Sequence, residues 1–170
     1  VAAPDHLLQL ADPDPVRAEA LARDSRISAV SFTGSERVGR HLEQVLAGKR
    51  LLRELGGNGA VVVDEGVDAA AVAGHLAPAA VAGAGQSCSK AQRIYVHQRL
   101  WEAFVPAFVK AVQALPVGDP MDPATVVGPL IDEATAIRMD ASLDRVGCAG
   151  ASVLLRGVRE GALLPPAILT

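Results

Sequence analysis

Three short stretches of this 170-residue chain set reactive side chains beside glycine. Gly85-Gln86-Ser87-Cys88-Ser89 ends a glycine-containing loop in a thiol. Such a loop can expose the sulfur and supply backbone N–H donors, which lower a thiol's pKa and can stabilise an oxyanion formed on its substrate. A small, inert core residue is the plainer reading. Glu54-Leu55-Gly56-Gly57 puts a carboxylate just ahead of two glycines, where backbone can pass close to a ligand. Partial burial would raise that carboxyl's pKa towards neutrality and suit it to general-base work; a surface glutamate beside a loop is the alternative. Phe32-Thr33-Gly34-Ser35-Glu36-Arg37-Val38-Gly39 has a glycine and a hydroxyl where a strand would give way to a helix. Free N–H groups and the helix dipole make such an end an anion site, phosphate above all, although simple capping of the turn accounts for the same residues.

Anion site, acid and thiol follow one another in that order, the thiol 34 positions beyond the acid. Ser31-Phe32-Thr33-Gly34-Ser35 with Val38-Gly39, Glu54-Leu55-Gly56-Gly57 and Gly85-Gln86-Ser87-Cys88 together resemble the NAD(P)-dependent aldehyde dehydrogenases. Weaker matches continue at Arg93-Ile94-Tyr95-Val96-His97, Val117-Gly118-Asp119-Pro120, Gly128-Pro129-Leu130-Ile131 and Pro165-Pro166-Ala167-Ile168. The resemblance runs over nearly the whole chain and is weakest before Ile27. It implies a three-layer α/β fold with a largely parallel sheet, incomplete in this chain. Residues 1–54 would be the C-terminal part of a dinucleotide-binding domain and 55–170 an incomplete catalytic domain, with the active site in the cleft between them.

The resemblance also implies residue roles. Cys88 would be the nucleophile that attacks an aldehyde, its backbone N–H giving one oxyanion donor. Glu54 would activate water against the resulting thioester and help to deprotonate the thiol. Gly34 and Ser35 would lie at the pyrophosphate of NAD or NADP, with Val38 and Gly39 packing beside it, and Leu55 would meet the nicotinamide through its backbone. The implied partners are a small-molecule aldehyde and further copies of the same chain, as a dimer or tetramer. The chain opens on Val1 and closes on the apolar run Leu163 to Thr170, so both ends look cut. An internal portion of such an enzyme is expected to bind cofactor poorly, to turn over little and to self-associate through uncovered apolar edges. Three other activities stay open: a CoA-acylating dehydrogenase, an inactive homologue serving as a binding or structural module, and a thiol hydrolase without redox chemistry.

These residues need elements to hold them. Pro15 suits the first turn of an alanine-rich helix over Val16–Arg23, and Ile27–Phe32 reads as a buried strand. Ser35 would cap a helix Glu36–Leu46, with Gly48 as its C-cap. Leu51–Leu55 is a short apolar stretch breaking into the glycine loop. Ala60–Val63 reads as a strand, and Asp64 and Asp68 sit where helix caps belong. The helical pattern of Asp68–Gly83 contains Pro78, which predicts a bend or a helix start there. Gln92–His97 alternates as a strand does. Leu100, Trp101, Phe104, Val105, Phe108, Val109 and Val112 share one helical face, which Pro106 interrupts. A proline-rich loop spans 116–129, Asp132 caps a last helix, and Ala151–Leu155 forms a final strand. Strands alternating with helices indicate an α/β domain.

Composition narrows the function classes. Half the residues are apolar and mean hydropathy is +0.27, enough to bury a core and too high for intrinsic disorder. Lys+Arg 16 against Asp+Glu 19 leaves −3, with signs mixed along the chain, which gives no electrostatic footprint for nucleic acid. No apolar run approaches the roughly 20 residues of a membrane span. Cys88 and Cys148 are too few for a disulfide framework, so a reduced, cytoplasmic setting is expected. Cys148 stands in no motif and reads as structural or incidental. His6, His41, His75 and His97 are isolated, so no metal site is assigned.

Overall fold

A computed structural model describes residues 7–170; His6 lies outside them. The chain divides after Gly56 into two compact units, each built from alternating helices and strands.

The first unit opens with α1 (Pro15–Arg23), whose N-cap Asp14 accepts from the Arg17 amide at 2.9 Å. The strand β1 (Ala29–Thr33) leads through Gly34 and Ser35 into α2 (Glu36–Val45) and back to β2 (Arg50–Glu54). The two strands pair in parallel, from Ala29 opposite Arg50 to Thr33 opposite Glu54, so the connection is a βαβ crossover. One face of α2 buries Gly39 and Leu42, and Leu46 beyond its end is 3% exposed. That stripe recurs every three to four residues, as a helix lying on a sheet requires. Lys49 Nζ donates to the Ala22 carbonyl at 2.8 Å and to that of Asp24, placing a cation on the last carbonyls of α1. The helix α2 is capped at Leu46, and Gly48, expected as its C-cap, sits two residues on with φ +93°. Leu51–Leu55, expected only as an apolar stretch, is mostly strand.

In the second unit, β3 (Gly59–Val63) runs through α3 (Ala69–Val81) to β4 (Ala91–Val96), again in parallel. The pairing slips between Gly59 and Ala60, because Gly59 meets Ala91 whereas Ala60 meets Arg93, leaving Gln92 as an extra residue. The next helix, α4 (Trp101–Gln113), packs on α3. Their shared core is Val63, Ala73, Ala77, Phe104, Phe108 and Val112. Alanines on α3 let the rings of α4 approach, and Phe104 and Phe108 stack with centroids 5.5 Å apart. Pro78 and Pro106 both lie inside continuous helices, so Pro78 starts no helix and Pro106 does not interrupt one. Each removes one backbone hydrogen bond, but core contacts hold both turns: Phe104 and Phe108 are buried on either side of Pro106, while Pro78 follows buried Ala73 and Ala77 and precedes Ala80 and Val81, which are partly buried against the same core.

After the loop at 116–129, α5 (Glu133–Cys148) starts at Asp132, which accepts from the Thr135 amide at 2.6 Å. The Thr135 hydroxyl, and after it that amide, hold the Asp132 carboxyl below its ordinary range. The strands β5 (Val153–Leu155) and β6 (Ile168–Leu169) close the unit as an antiparallel pair. Arg156 donates to Asp140 and Asp144 of α5, tying the helix to the segment after β5. Leu52, Val62 and Tyr95 are exposed on their strands. No described helix is long and apolar enough to cross a membrane.

Candidate active site

Six of the seven expected site residues belong to the first unit. Gly34 stands between β1 and α2, and its amide donates to the Glu54 carbonyl at 3.0 Å. That bond extends the strand pairing by one step and brings the glycine turn to the end of β2. Ser35 is the N-cap of α2, its Oγ accepting from Val38 N at 3.3 Å. Val38 is half-buried and Gly39 buried in the first turns of the same helix. A β carbon on Gly39 would fall 2.5 Å from Leu55 Cδ2, so the bare glycine lets α2 close on the residue after Glu54. The turn, the start of the helix, Glu54 and Leu55 are therefore one local assembly. The Glu54 side chain is exposed rather than partly buried, open to water at the end of its strand.

Cys88 belongs to the second unit and is exposed. It follows Gly83, Ala84 and Gly85, which carry φ of 61°, 56° and 66°. Three successive left-handed residues turn the chain sharply out of α3. The flanking Ser87 and Ser89 hydroxyls meet at 3.2 Å, and the Ser89 amide donates to Ser87 Oγ at 3.4 Å, bending the loop about Cys88. Among the described residues no protein acceptor takes the Cys88 N–H.

Gly57 and Gly59 run against this loop. A β carbon on Gly57 would lie 1.9 Å from the Cys88 carbonyl oxygen, and one on Gly59 would lie 2.3 Å from that of Lys90. Both contacts are to backbone, which cannot swing away as a side chain can. The second glycine of Glu54-Leu55-Gly56-Gly57 is thus where the chain packs beside the thiol loop, a role that its spacing alone does not disclose.

Gln86 ties the same loop on its other side. Its Oε1 accepts from the Ile131 amide at 3.0 Å, and its Nε2 donates to the carbonyls of Gly83 at 3.3 Å and Pro129 at 3.4 Å. Both stretches were visible as motifs, Gly85-Gln86-Ser87-Cys88 and Gly128-Pro129-Leu130-Ile131, but no local signal joins them across 45 residues.

An apolar cavity of about 410 Å³ also lies in the second unit, walled by Trp101, Phe104, Phe108, Met139 and the stretch Leu164–Thr170. It reaches Gly85 and Lys90 but not Cys88. Among the described residues no group of three His, Cys, Asp or Glu side chains could hold a metal ion.

The model of the family described as "Aldehyde dehydrogenase family" matches residues 2–170. The sulfoacetaldehyde dehydrogenase of Neptuniibacter caesariensis is 34% identical over 166 residues, covering 98% of this chain and 36% of that protein. The NADP+ succinate-semialdehyde dehydrogenase of Mycobacterium leprae is 34% identical over 157 residues, covering 89% of this chain and 34% of that protein. Among solved structures, the Mycobacterium tuberculosis aldehyde dehydrogenase complexed with NAD+ superposes with a TM-score of 0.84 at 34% identity, covering 89% of this chain and 33% of that one. The chain spans about a third of the length of the curated relatives it matches.

Proposed function

The chain belongs to the aldehyde dehydrogenase family, and we propose that it carries the nucleophile, the water-activating base and a phosphate-binding turn of an enzyme that oxidises an aldehyde to a carboxylic acid with NAD or NADP. The observation that carries this reading is the packing of Gly57 on the Cys88 backbone. Glu54 is three residues before Gly57, and covalent geometry keeps Cα atoms that close in sequence within about 11 Å of each other. The acid of the motif is thereby tethered to the glycine that flanks the thiol loop, however the two units are arranged.

Each residue then has a task that its surroundings support. The exposed Cys88 sulfur, as thiolate, bonds to the aldehyde carbon, and the carbonyl oxygen becomes an oxyanion that the Cys88 N–H can meet. Bound NAD(P) would supply the hydride acceptor, so that the thiohemiacetal at Cys88 loses hydride and becomes a thioester. Glu54 takes a proton from water as the water oxygen bonds to the thioester carbon. The carbon–sulfur bond then breaks, releasing the carboxylic acid and the Cys88 thiolate. An exposed carboxylate has the access to water that this step needs.

The start of α2 fits the cofactor's pyrophosphate. The Glu36 and Arg37 amides have no acceptor among the described residues and stand at the positive end of the helix dipole, the Val38 amide is taken by the N-cap hydroxyl, and Gly34 adds no side chain. Gly34 and Ser35 would hold the phosphates, Val38 and Gly39 would pack beside them, and Leu55 would meet the nicotinamide through its backbone. Residues 1–54 would serve cofactor binding and 55–170 catalysis. We further place the enzyme in a reduced, cytoplasmic compartment, because both cysteines are free, and assign it a homo-oligomeric state.

The test is aldehyde-dependent formation of reduced nicotinamide by the protein that carries this chain. The aldehydes should include sulfoacetaldehyde and succinate semialdehyde, the substrates named for two relatives. Cys88→Ala should abolish the signal and Cys148→Ala should leave it intact. Undiminished oxidation by the Cys88→Ala protein would overturn the reading.

A further inference from the structure

We propose that Gln86 is a positioning residue for the Cys88 nucleophile: its side-chain amide straps the loop before the sulfur to the Pro129–Ile131 segment. The inference rests on the reading of Cys88 as nucleophile and adds a residue that the reaction scheme does not use.

The loop needs such a strap. Gly83, Ala84 and Gly85 all take positive φ, and Ala84 does so with a β carbon. Left-handed backbone at a residue other than glycine persists only where surrounding contacts hold it. Burial supplies only part of them, because Ala84 and Gly85 are half-buried while Gly83 and the following Gln86, Ser87, Cys88 and Ser89 are all exposed. Backbone bonds help: Gly83 N donates to Val126 O at 3.3 Å, and Gln86 N closes the turn on Gly83 O at 3.1 Å. Among the described side chains from Gly83 to Ser89, only that of Gln86 hydrogen-bonds beyond the loop, since Ser87 and Ser89 bond to each other.

The partners also fix the amide's orientation. Ile131 offers an N–H and must face Oε1, whereas Gly83 and Pro129 offer carbonyls and must face the NH2 group. A glutamine satisfies all three; an ionised carboxylate would satisfy Ile131 and repel the two carbonyls. Gln86 is two residues before the sulfur, so it acts on the direction in which Cys88 leaves the turn, not on its chemistry.

The experiment follows thiol–disulfide exchange of Cys88 and Cys148 with 4,4′-dithiodipyridine, which leaves a mixed disulfide on the cysteine and releases 4-thiopyridone, with non-reducing peptide mapping, in the protein that carries this chain. Wild-type protein, Gln86→Ala and Gln86→Glu are compared from acid to neutral pH, alongside thermal midpoints. The proposal expects Gln86→Ala to slow Cys88 about tenfold while leaving Cys148 and the thermal midpoint nearly unchanged. It expects Gln86→Glu to match wild type where the new carboxyl is protonated and can donate, and to fall behind as pH rises through the carboxylate range. That pH-dependent ratio is a signature that loss of folding does not produce, and it decides the matter if Gln86→Ala fails to fold. Variants that track the wild-type Cys88 rate at every pH would overturn the strap alone. Wild-type Cys88 reacting no faster than Cys148 would overturn the nucleophile reading first, and the strap with it.

Discussion

Gly57 lies so close to Cys88 that a single β carbon on it would fall 1.9 Å from the carbonyl oxygen and 2.9 Å from the carbonyl carbon. Gly57→Ala must therefore displace one backbone segment from the other. Overpacking of this kind costs about 1–3 kcal/mol, and here the displaced atoms belong to the thiol's own residue. We expect a loss of stability in that range by urea denaturation, together with a marked fall in Cys88 alkylation. Gly56→Ala is the control, because nothing stands within 4 Å of a β carbon there. Equal behaviour of the two variants would contradict the contact.

The approach of α2 to Leu55 yields a coupled pair. Gly39→Ala pushes a methyl to 2.5 Å from Leu55 Cδ2 and should destabilise by about 1–3 kcal/mol. Truncating the partner with Leu55→Ala opens the space, so the double variant should recover a large part of the loss. Denaturation of the four proteins in a double-mutant cycle measures this, and strict additivity would show that the two side chains do not meet.

Ala84 offers the opposite sign. Its left-handed φ of 56° costs roughly 1–2 kcal/mol for a residue with a β carbon. Ala84→Gly removes that strain but raises the entropy of the unfolded chain by about 0.4–1 kcal/mol. The difference favours the variant by up to about 1.6 kcal/mol, seen as a higher denaturation midpoint. A lower midpoint would mean that the turn is not strained.

Glu19 should make the first unit sensitive to acid. Hydrogen bonds from His41, at 2.7 Å, and from Arg23 hold its carboxyl below the ordinary glutamate range. A carboxyl whose pKa is lower folded than unfolded stabilises above its unfolded pKa, and the benefit vanishes as pH falls through the folded value. Wild type should therefore exceed Glu19→Gln in stability at neutral pH, and the gap should close on acidification through the carboxylate range. Urea midpoints across that range test it; a gap that widens in acid would reverse the sign.

Glu54→Gln separates the two halves of the reaction. If Glu54 activates water, the first turnover should still deliver reduced nicotinamide, while steady turnover drops by about 10²–10⁴-fold. Stopped-flow absorbance distinguishes the phases, and loss of the burst itself would assign Glu54 a different task.

The helix starts were the most legible part of this fold. Ser35, Asp68 and Asp132 each announce a helix by residue type, and each side chain accepts from an amide two or three residues on. Asp64 has the same chemistry but accepts only from the next amide, Glu65, and caps nothing. The strand Arg50–Glu54 was hidden because it carries charge at Arg50, Arg53 and Glu54. It is a strand because β1 pairs with it, which is a tertiary fact. The prolines of α3 and α4 misled for the same reason, since packing of both helices on one shared core outweighs a lost bond. At the candidate site the reactive residue types were legible, whereas the Gly57 contact and the Gln86 strap join positions about 30 and 45 apart, which no local pattern encodes.

Three separated segments shape the surroundings of Cys88: the glycines at 57 and 59, the left-handed turn, and the carbonyls and amide near 130. Closing such long loops is slow compared with forming a helix. During refolding the far-ultraviolet signal of the helices should therefore return first, and heightened reactivity at this sulfur should be among the last native properties regained, which makes the thiol a clock for the final step of assembly.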